Sequence, residues 1–363
     1  TEDMPYFDSG RNKGRVYVHT PDTGQRINTF ELTTPDQYFD CRDPFWNLNS
    51  TTNALNRLHG AVRDKSFGVK PLLLPFEGAQ SNTHAIIDPP QAGDSYALSR
   101  SRFANKAALL VESNNVLYYQ SGPLNNVTAT PRSPIGCITN EALVDFIIYT
   151  NVFFNERQGY DIQPHDIDMA KFRAWLESPK CPAAAYNEFM GTNDRAGIMY
   201  INPPEIGDRT DDSTNAAVRI CNSDEIPRSL TLATSVGLYT WGDYNTRVNG
   251  SSDTNLPSVL ISDCFTILSE DWEDELNKDD NKNYRVRHST TINSALIAGN
   301  STSFVHTTGG GVHNLPRLLE NWSGKRYTLK GSLICLYPAH KEQAQHIDSG
   351  SPYYSPPRRD IVY

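Results

Sequence analysis

The sequence predicts a mainly β protein. Its C-terminal half reads as a β-solenoid, parallel β-helix-like, behind an α+β N-terminal part, with a β-sandwich as the alternative. Three observations point there. Short apolar phrases of strand length recur from residue 196 onward, each bounded by turn residues. Three of them share one core: Ser258-Val259-Leu260-Ile261-Ser262, Ser294-Ala295-Leu296-Ile297-Ala298 and Ser332-Leu333-Ile334-Cys335. Their leucines are 36 and 37 residues apart, the mark of stacked turns that each hide a few aliphatic side chains. The composition agrees: 38% hydrophobic and 21% charged, with the shortfall filled by Asn, Ser, Thr, Gly, Pro and Tyr. These residues favour short strands and turns over long helices.

Along the chain, residues 1–100 form a loop- and turn-rich segment. Arg15–His19 alternates apolar and polar like a strand, and 51–62 reads as a short helix. Residues 101–195 form an α+β segment. There, 103–112 reads as a buried strand that returns through 116–119 after an Asn114-Asn115 turn, a hairpin signal. A longer strand or helix is expected over 141–154. The clearest helix is Asp166 to Ser178, with Asp166 as N-cap and Met169, Phe172, Trp175 and Leu176 facing a core. Residues 196–363 form the solenoid-like domain. Its strands are expected at 198–200, 217–221, 230–233, 237–241, 259–262, 291–298 and 327–337.

The net charge of −9 offers no basic stripe for phosphates, so nucleic acid is excluded as a partner. The clusters Arg285-Val286-Arg287-His288 and Pro357-Arg358-Arg359 are too small for that role. No run approaches the ~20 apolar residues of a membrane span. The start at Thr1, without a signal peptide, reads as a processed or truncated product. Six cysteines lie far apart, without a C-x-x-C pair. Cys41, Cys137, Cys181 and Cys221 are the disulfide candidates for an oxidising compartment, whereas Cys264 and Cys335 sit in apolar runs as small hydrophobes or a bridge.

Asp243, Asp263, Glu270, Asp271, Glu273 and Asp274 supply carboxylates that a hydrolase would need in pairs. The run Glu270–Asp274 reads first as a solvated acidic face. Oxygen-rich loops at Asp279, Asp280, Asn281 and Asn283, and at Asp208, Asp211 and Asp212, are weak calcium candidates without EF-hand spacing. No other cofactor is expected. Gly309-Gly310-Gly311 lacks the Gly-Lys-Ser/Thr of a phosphate loop, and no G-x-S-x-G elbow is present, so His313 reads as structural. Tyr239, Trp241, Tyr244, Tyr353 and Tyr354 are interaction candidates in aromatic-rich turns. Sequons stand at Asn49, Asn126, Asn249, Asn300 and Asn321.

Ordered motifs run through the second half. Gly242-Asp243-Tyr244-Asn245, Ile261-Ser262-Asp263 and Ile267-Leu268-Ser269 with Trp272 and Asp274 come first. Thr290-Thr291-Ile292-Asn293-Ser294-Ala295, Ile297-Ala298-Gly299-Asn300 and Gly310-Gly311-Val312-His313-Asn314-Leu315-Pro316-Arg317 follow. Leu319-Glu320-Asn321-Trp322-Ser323-Gly324, Gly331-Ser332-Leu333 and Tyr354-Ser355-Pro356-Pro357-Arg358-Arg359-Asp360 close the series. Upstream stand Arg102-Phe103-Ala104-Asn105-Lys106-Ala107 and Glu156-Arg157-Gln158-Gly159 through Asp166-Ile167-Asp168. Over roughly 70–363 this resembles the C-terminal region of PilX-like, prepilin-type surface proteins of Gram-negative bacteria, planctomycetes and verrucomicrobia. That family's hydrophobic N-terminal helix and prepilin cleavage site have no counterpart in residues 1–60.

The resemblance implies a surface or pilus-associated role with no assigned catalytic residues. The expected function is therefore a non-enzymatic extracellular or cell-surface structural protein, a filament subunit or pilus-associated adhesin. Its partners would be copies of itself, pilus or cell-surface components, or polysaccharide. The alternative is a carbohydrate-active or carbohydrate-binding solenoid, with Asp243 and Asp263 as acid/base pair and Trp241 stacking on sugar.

Overall fold

The computed structural model describes residues 6–8, 15–19, 26–27, 83–119, 134–149, 151–204, 214–252, 254–277, 286, 288–301, 314–344 and 357–362. The chain divides into two units, Thr1–Leu73 and Leu74–Tyr363. In the first, β1 (Tyr6–Asp8), β2 (Arg15–His19) and β3 (Arg26–Ile27) form an antiparallel sheet. The strand read at Arg15–His19 is β2, while the helix read at 51–62 lies outside the described residues.

The second unit opens with a 3-10 turn at Thr83–Ile86 and two short helices, α1 (Tyr96–Ser101) and α2 (Phe103–Lys106). Next come β4 (Leu109–Glu112), β5 (Asn115–Tyr118) and β6 (Gly136–Ile138), then β7 (Ile147–Tyr149), β8 (Phe153–Asn155) and β9 (Tyr160–Asp168). Helices α3 (Met169–Leu176) and α4 (Ala183–Met190) follow. From there the chain visits three sheets in rotation. The first three strands are β10 (Ile198–Asn202), β11 (Thr214–Cys221) and β12 (Ser223–Glu225). The next are β13 (Leu230–Thr234), β14 (Gly237–Trp241) and β15 (Tyr244–Val248), with β16 (Ser251–Ser252) as a small flap. Then come β17 (Ser258–Ser262), β18 (Phe265–Leu268) and β19 (Thr290–Asn293), followed by β20 (Ala295–Asn300), β21 (Pro316–Leu318) and β22 (Arg326–Lys330). The last strands are β23 (Leu333–Pro338) and β24 (Arg358–Val362).

The first sheet runs β23-β20-β17-β13-β10-β4-β5-β6, the second β21-β18-β14-β11-β9-β7 with β8 beside β9, and the third β12-β15-β19-β22-β24 with β16 beside β15. Within the rotating part, strands of successive turns pair parallel. The protein is thus mainly β with multi-stranded parallel sheets. In the first sheet Leu109, Met199, Leu232, Leu260, Leu296 and Leu333 are register partners in sequence. The three phrases with the recurring leucine are therefore neighbours on one column.

One apolar cluster joins the inward faces: Leu232, Leu260 and Leu296 from the first sheet, Leu238, Phe265 and Ile267 from the second, and Tyr244, Ile292 and Leu329 from the third. Fully burying one such aliphatic or aromatic side chain stabilises by about 1.5–3 kcal/mol. Helices α3 and α4 pack into the same cluster through Met169, Phe172, Trp175, Leu176, Ala185 and Phe189. Phe146 meets Phe172 at 4.9 Å and Trp175 at 5.1 Å, and Phe172 meets Phe189 at 5.4 Å. The outer face of the first sheet (Leu110, Tyr200, Ala233, Ile261) is covered by Ile86, Ile87, Ala104 and Ala107. The outer face of the second (Ala217, Tyr239, Leu268) packs with Phe153, Ile162 and Trp272.

Corners carry the sequence logic. Gly331 has φ 155, and a Cβ there would lie 2.0 Å from the Ser294 carbonyl oxygen, so only glycine lets the turns nest. Asn245, at φ 55, donates to the carbonyls of Leu256 and Asn293, while Asn293 donates back to the Asn245 carbonyl.

Several expected boundaries move. Segments 291–298 and 327–337, read as single strands, each break at a corner, at Ser294 and at Gly331-Ser332, because the phrase serves two sheets. Residues 103–106 are helix α2, and the strand begins only at Leu109. Residues 141–154 hold a 3-10 turn (Glu141–Leu143) and two short strands rather than one long element. The helix begins at Met169, not after Asp166. Strand β9 continues to Asp168, whose carboxylate accepts from the Lys171 N–H as the true N-cap. Asp166 is held in the strand by Arg219.

Candidate functional site

Asp263 sits at the corner between β17 and β18, fully buried. Its carboxylate accepts from the backbone N–H of His340 (2.5 Å), Lys341 (3.0 Å) and Glu342 (3.1 Å), and lies 2.9 Å from His84 Nε2. His84, 2% exposed, places Nδ1 2.9 Å from Asp88 and stacks on His340 at 3.9 Å. Burial alone would lower the His84 pKa. Hydrogen bonds and charges from Asp263 and Asp88 outweigh it and raise the value to about 9. Burial would raise Asp263, yet His84 and the converging amides hold it below its usual range. One carboxylate thus joins segments 179 and 77–79 residues away in sequence.

The same C-terminal strap continues onto the outer face of the second sheet. Glu342, 2% exposed, accepts from the Tyr239 hydroxyl (2.7 Å) and pairs with Arg317 (3.4 Å). Asn155 donates to the Tyr239 oxygen. Close approach needs Gly237, where a Cβ would come 2.2 Å from Glu342 Oε1. A second knot lies on the same face. Arg219, fully buried, forks Nε and Nη2 onto Asp166 (2.8 and 2.9 Å) and Nη1 and Nη2 onto Asp274 (2.6 and 3.0 Å). Its guanidinium stands 4.7 Å over the Trp241 ring and 5.5 Å over Phe153. Another buried carboxylate, Glu320, accepts from the Ser269 N–H (2.7 Å) and hydroxyl (2.6 Å); burial pushes its pKa up to about 7.

Asp243 differs from these. It reaches solvent at the corner between β14 and β15, just past Gly242, and accepts from the Thr291 N–H at 2.7 Å. Its carboxyl is raised by burial against the corner and by the charges of Glu270 and Asp224. Trp241, partly exposed, immediately precedes Gly242. Sequence reasoning paired Asp243 with Asp263. The structure places them on different corners, between the second and third sheets and between the first and second, so they form no acid/base pair.

Other expected residues fall as follows. Tyr239 and Tyr244 are fully buried, Tyr244 hydrogen-bonding Ser258, so neither is a contact surface. Of the three that are described, Trp241 alone keeps partial exposure; Tyr353 and Tyr354 lie outside the described residues. The calcium candidates Asp279, Asp280, Asn281 and Asn283, with Asp208, Asp211 and Asp212, also lie outside them, as does His313. Among the described residues, no group of three or more His, Cys, Asp or Glu side chains could hold a metal ion. Cys137, Cys181 and Cys221 are free thiols rather than bridged. Cys181 packs into the core beside α4, and burial drives the Cys221 thiol up to about 12 where it faces the Ile167 carbonyl. Cys264 and Cys335 are free too, and Cys41 lies outside the described residues. Asn300, in a sequon, is buried and bonded to Asn314, while Asn249 is exposed.

Sequence reasoning missed His84, Arg219, Arg317, Glu320 and Glu342. Apart from Asp88, four residues from His84, their partners lie 25 to 179 residues away, so local pattern marks little of the network. Chemically, the buried carboxylates are saturated with donors and act as fasteners, whereas Asp243 offers an exposed acid. Among the described residues no helix is long and apolar enough to cross a membrane. No family model, curated protein or solved structure matches the chain.

Proposed function

We propose that the chain is a non-enzymatic extracellular structural protein, a filament subunit or pilus-associated surface protein, built as a β-solenoid. The observation that carries this reading is the repeated passage through three parallel sheets around one shared apolar interior. Such a stack spends its buried area on a durable rod rather than a cleft. The buried charges support it too, since Asp263, Arg219 and Glu342 tie distant segments of the chain to the stack. The PilX-like motifs between Gly242 and Asn300 lie on its strands and corners, which fits a pilus-associated role. Sedimentation and electron microscopy of the purified full chain, with binding to cell surfaces, test the proposal. Higher-order particles or surface binding are expected; a chain that stays monomeric at high concentration and binds no surface overturns it.

One observation favours a second reading, a carbohydrate-binding or carbohydrate-active solenoid: Asp243, with its raised carboxyl beside Glu270 and Asp224, lies next to partly exposed Trp241. A polysaccharide panel assayed with Asp243→Asn decides it. Binding or turnover that the variant abolishes supports this reading, and a panel without response removes it.

A further inference from the structure

Among the described residues the eight-stranded first sheet ends in two edge strands, β6 and β23. Strand β6 pairs antiparallel with β5, which pairs antiparallel with β4, which runs parallel to β10. Strand β6 therefore points the same way as every rotating strand, β23 included. A second copy translated along the stacking direction brings its β6 beside β23 with parallel polarity.

The face pattern also matches. On β23, Leu333 packs toward the interior, while Leu336 and Tyr337 pack with the outer cluster. Ile334 partners Ile297 of that outer cluster. On β6, Ile138 lies in the interior cluster, and Cys137 partners Leu117 of the outer one. Ile334 and Cys137 thus share the outer face, and a register that sets them side by side keeps the two faces continuous. Both edges carry uncovered apolar residues: Ile334 is 37% exposed, and Ile135, just before β6, is 47% exposed.

We propose that β23 of one copy pairs in parallel with β6 of the next, so that the first sheet runs on from subunit to subunit. This deepens, and rests on, the structural reading above. The Leu336 carbonyl is taken by the Thr83 hydroxyl, so the pairing uses the Leu333–Cys335 stretch of β23, where the strand edge is a template for such pairing. Because the contact is heterologous and translational, it does not close on itself and yields a filament. Eight strands at about 4.8 Å spacing give an axial repeat of about 38 Å.

The test uses two full-length preparations. One keeps Cys137 as its accessible thiol (Cys41→Ser, Cys335→Ser). The other carries a thiol at position 334 instead (Cys41→Ser, Cys137→Ser, Ile334→Cys, Cys335→Ser). A short bismaleimide is expected to give a covalent dimer only from the mixture, with neither preparation cross-linking alone. Ile334→Asp in the otherwise native chain is expected to raise the concentration needed for assembly by about tenfold or more, with the circular dichroism spectrum unchanged. Assembly without the mixed cross-link, or undiminished by Ile334→Asp, overturns the edge pairing and leaves the structural reading standing. A chain that forms no particles in any preparation overturns the structural reading itself.

Discussion

Replacing Asp263 by Asn keeps the shape of a buried side chain that ties three segments together and removes its charge. In the native chain that carboxylate serves three main-chain amides and the His84 ring, with no exposure to water. The amide supplies one acceptor oxygen and sets an NH₂ against groups that donate. It also leaves His84⁺ facing only Asp88. Removing one partner of a buried ion pair costs about 3–5 kcal/mol, and that range is expected here. Urea unfolding at pH 6, followed by tryptophan fluorescence, reads it, and limited proteolysis between residues 339 and 344 reports release of the strap.

The pH dependence separates ionic from steric loss. His84 has its pKa raised from 6.5 to about 9. Its contribution is therefore complete below pH 6.5 and disappears as pH climbs through 9, worth about 3 kcal/mol. Asp263 is shifted down, so its contribution is present above the ordinary carboxylate range and fades on acidification. The gap between native chain and variant is thus widest between about pH 4 and 6.5 and narrows by pH 10. A loss below about 1 kcal/mol at pH 6, or a gap as wide at pH 10, refutes the reasoning.

Three further outcomes are expected. Arg219→Lys cannot fork onto both Asp166 and Asp274 and should cost about 2–4 kcal/mol by denaturant unfolding, with altered tryptophan emission as Trp241 loses its guanidinium. Gly299→Ala would set a Cβ 2.6 Å from the Asp263 carbonyl oxygen and 2.7 Å from the Ala339 nitrogen. It should cost about 1–3 kcal/mol in the same assay and loosen the strap. Burial lowers His165 to about 4 and raises Glu320 to about 7, and these act in opposite directions. His165 weakens the fold as pH falls from 6.5 to 4, and Glu320 weakens it as pH rises from 4.5 to 7, each by about 3 kcal/mol. Melting curves of His165→Leu and Glu320→Gln against pH should therefore diverge from the native curve toward acid and toward neutral pH, respectively. Flat differences across the window refute the assignment.

The columns of the fold were legible because they are local. Leu260, Leu296 and Leu333 announce themselves by spacing, and they are register partners. The preceding members of the column, Met199 and Leu232, escaped because they stand in different phrases, only 28 residues separating Leu232 from Leu260. Strand ends at Asn293 and Lys330 were overrun because apolar character continues around a corner where only Ser294 or Gly331 marks the bend. The capping reading failed at Asp166 for a tertiary reason: a helix N-cap and the acidic partner of a buried arginine are both aspartates, and Arg219 lies 53 residues away. Of the aromatic candidates, Tyr239 and Tyr244 look like surface tyrosines in sequence, yet their hydroxyls are met inside by Glu342 and Ser258.

The wiring of Asp263 also bears on how the chain is made. The residue leaves the ribosome 77 residues before His340, the first of its main-chain donors. At ordinary elongation rates that is a delay of roughly 4–15 s. For that interval the nascent protein holds a carboxylate, answered by His84 alone, at a corner still unsealed. A chain cut short before residue 340 never seals it, so one buried acid distinguishes a finished molecule from a fragment.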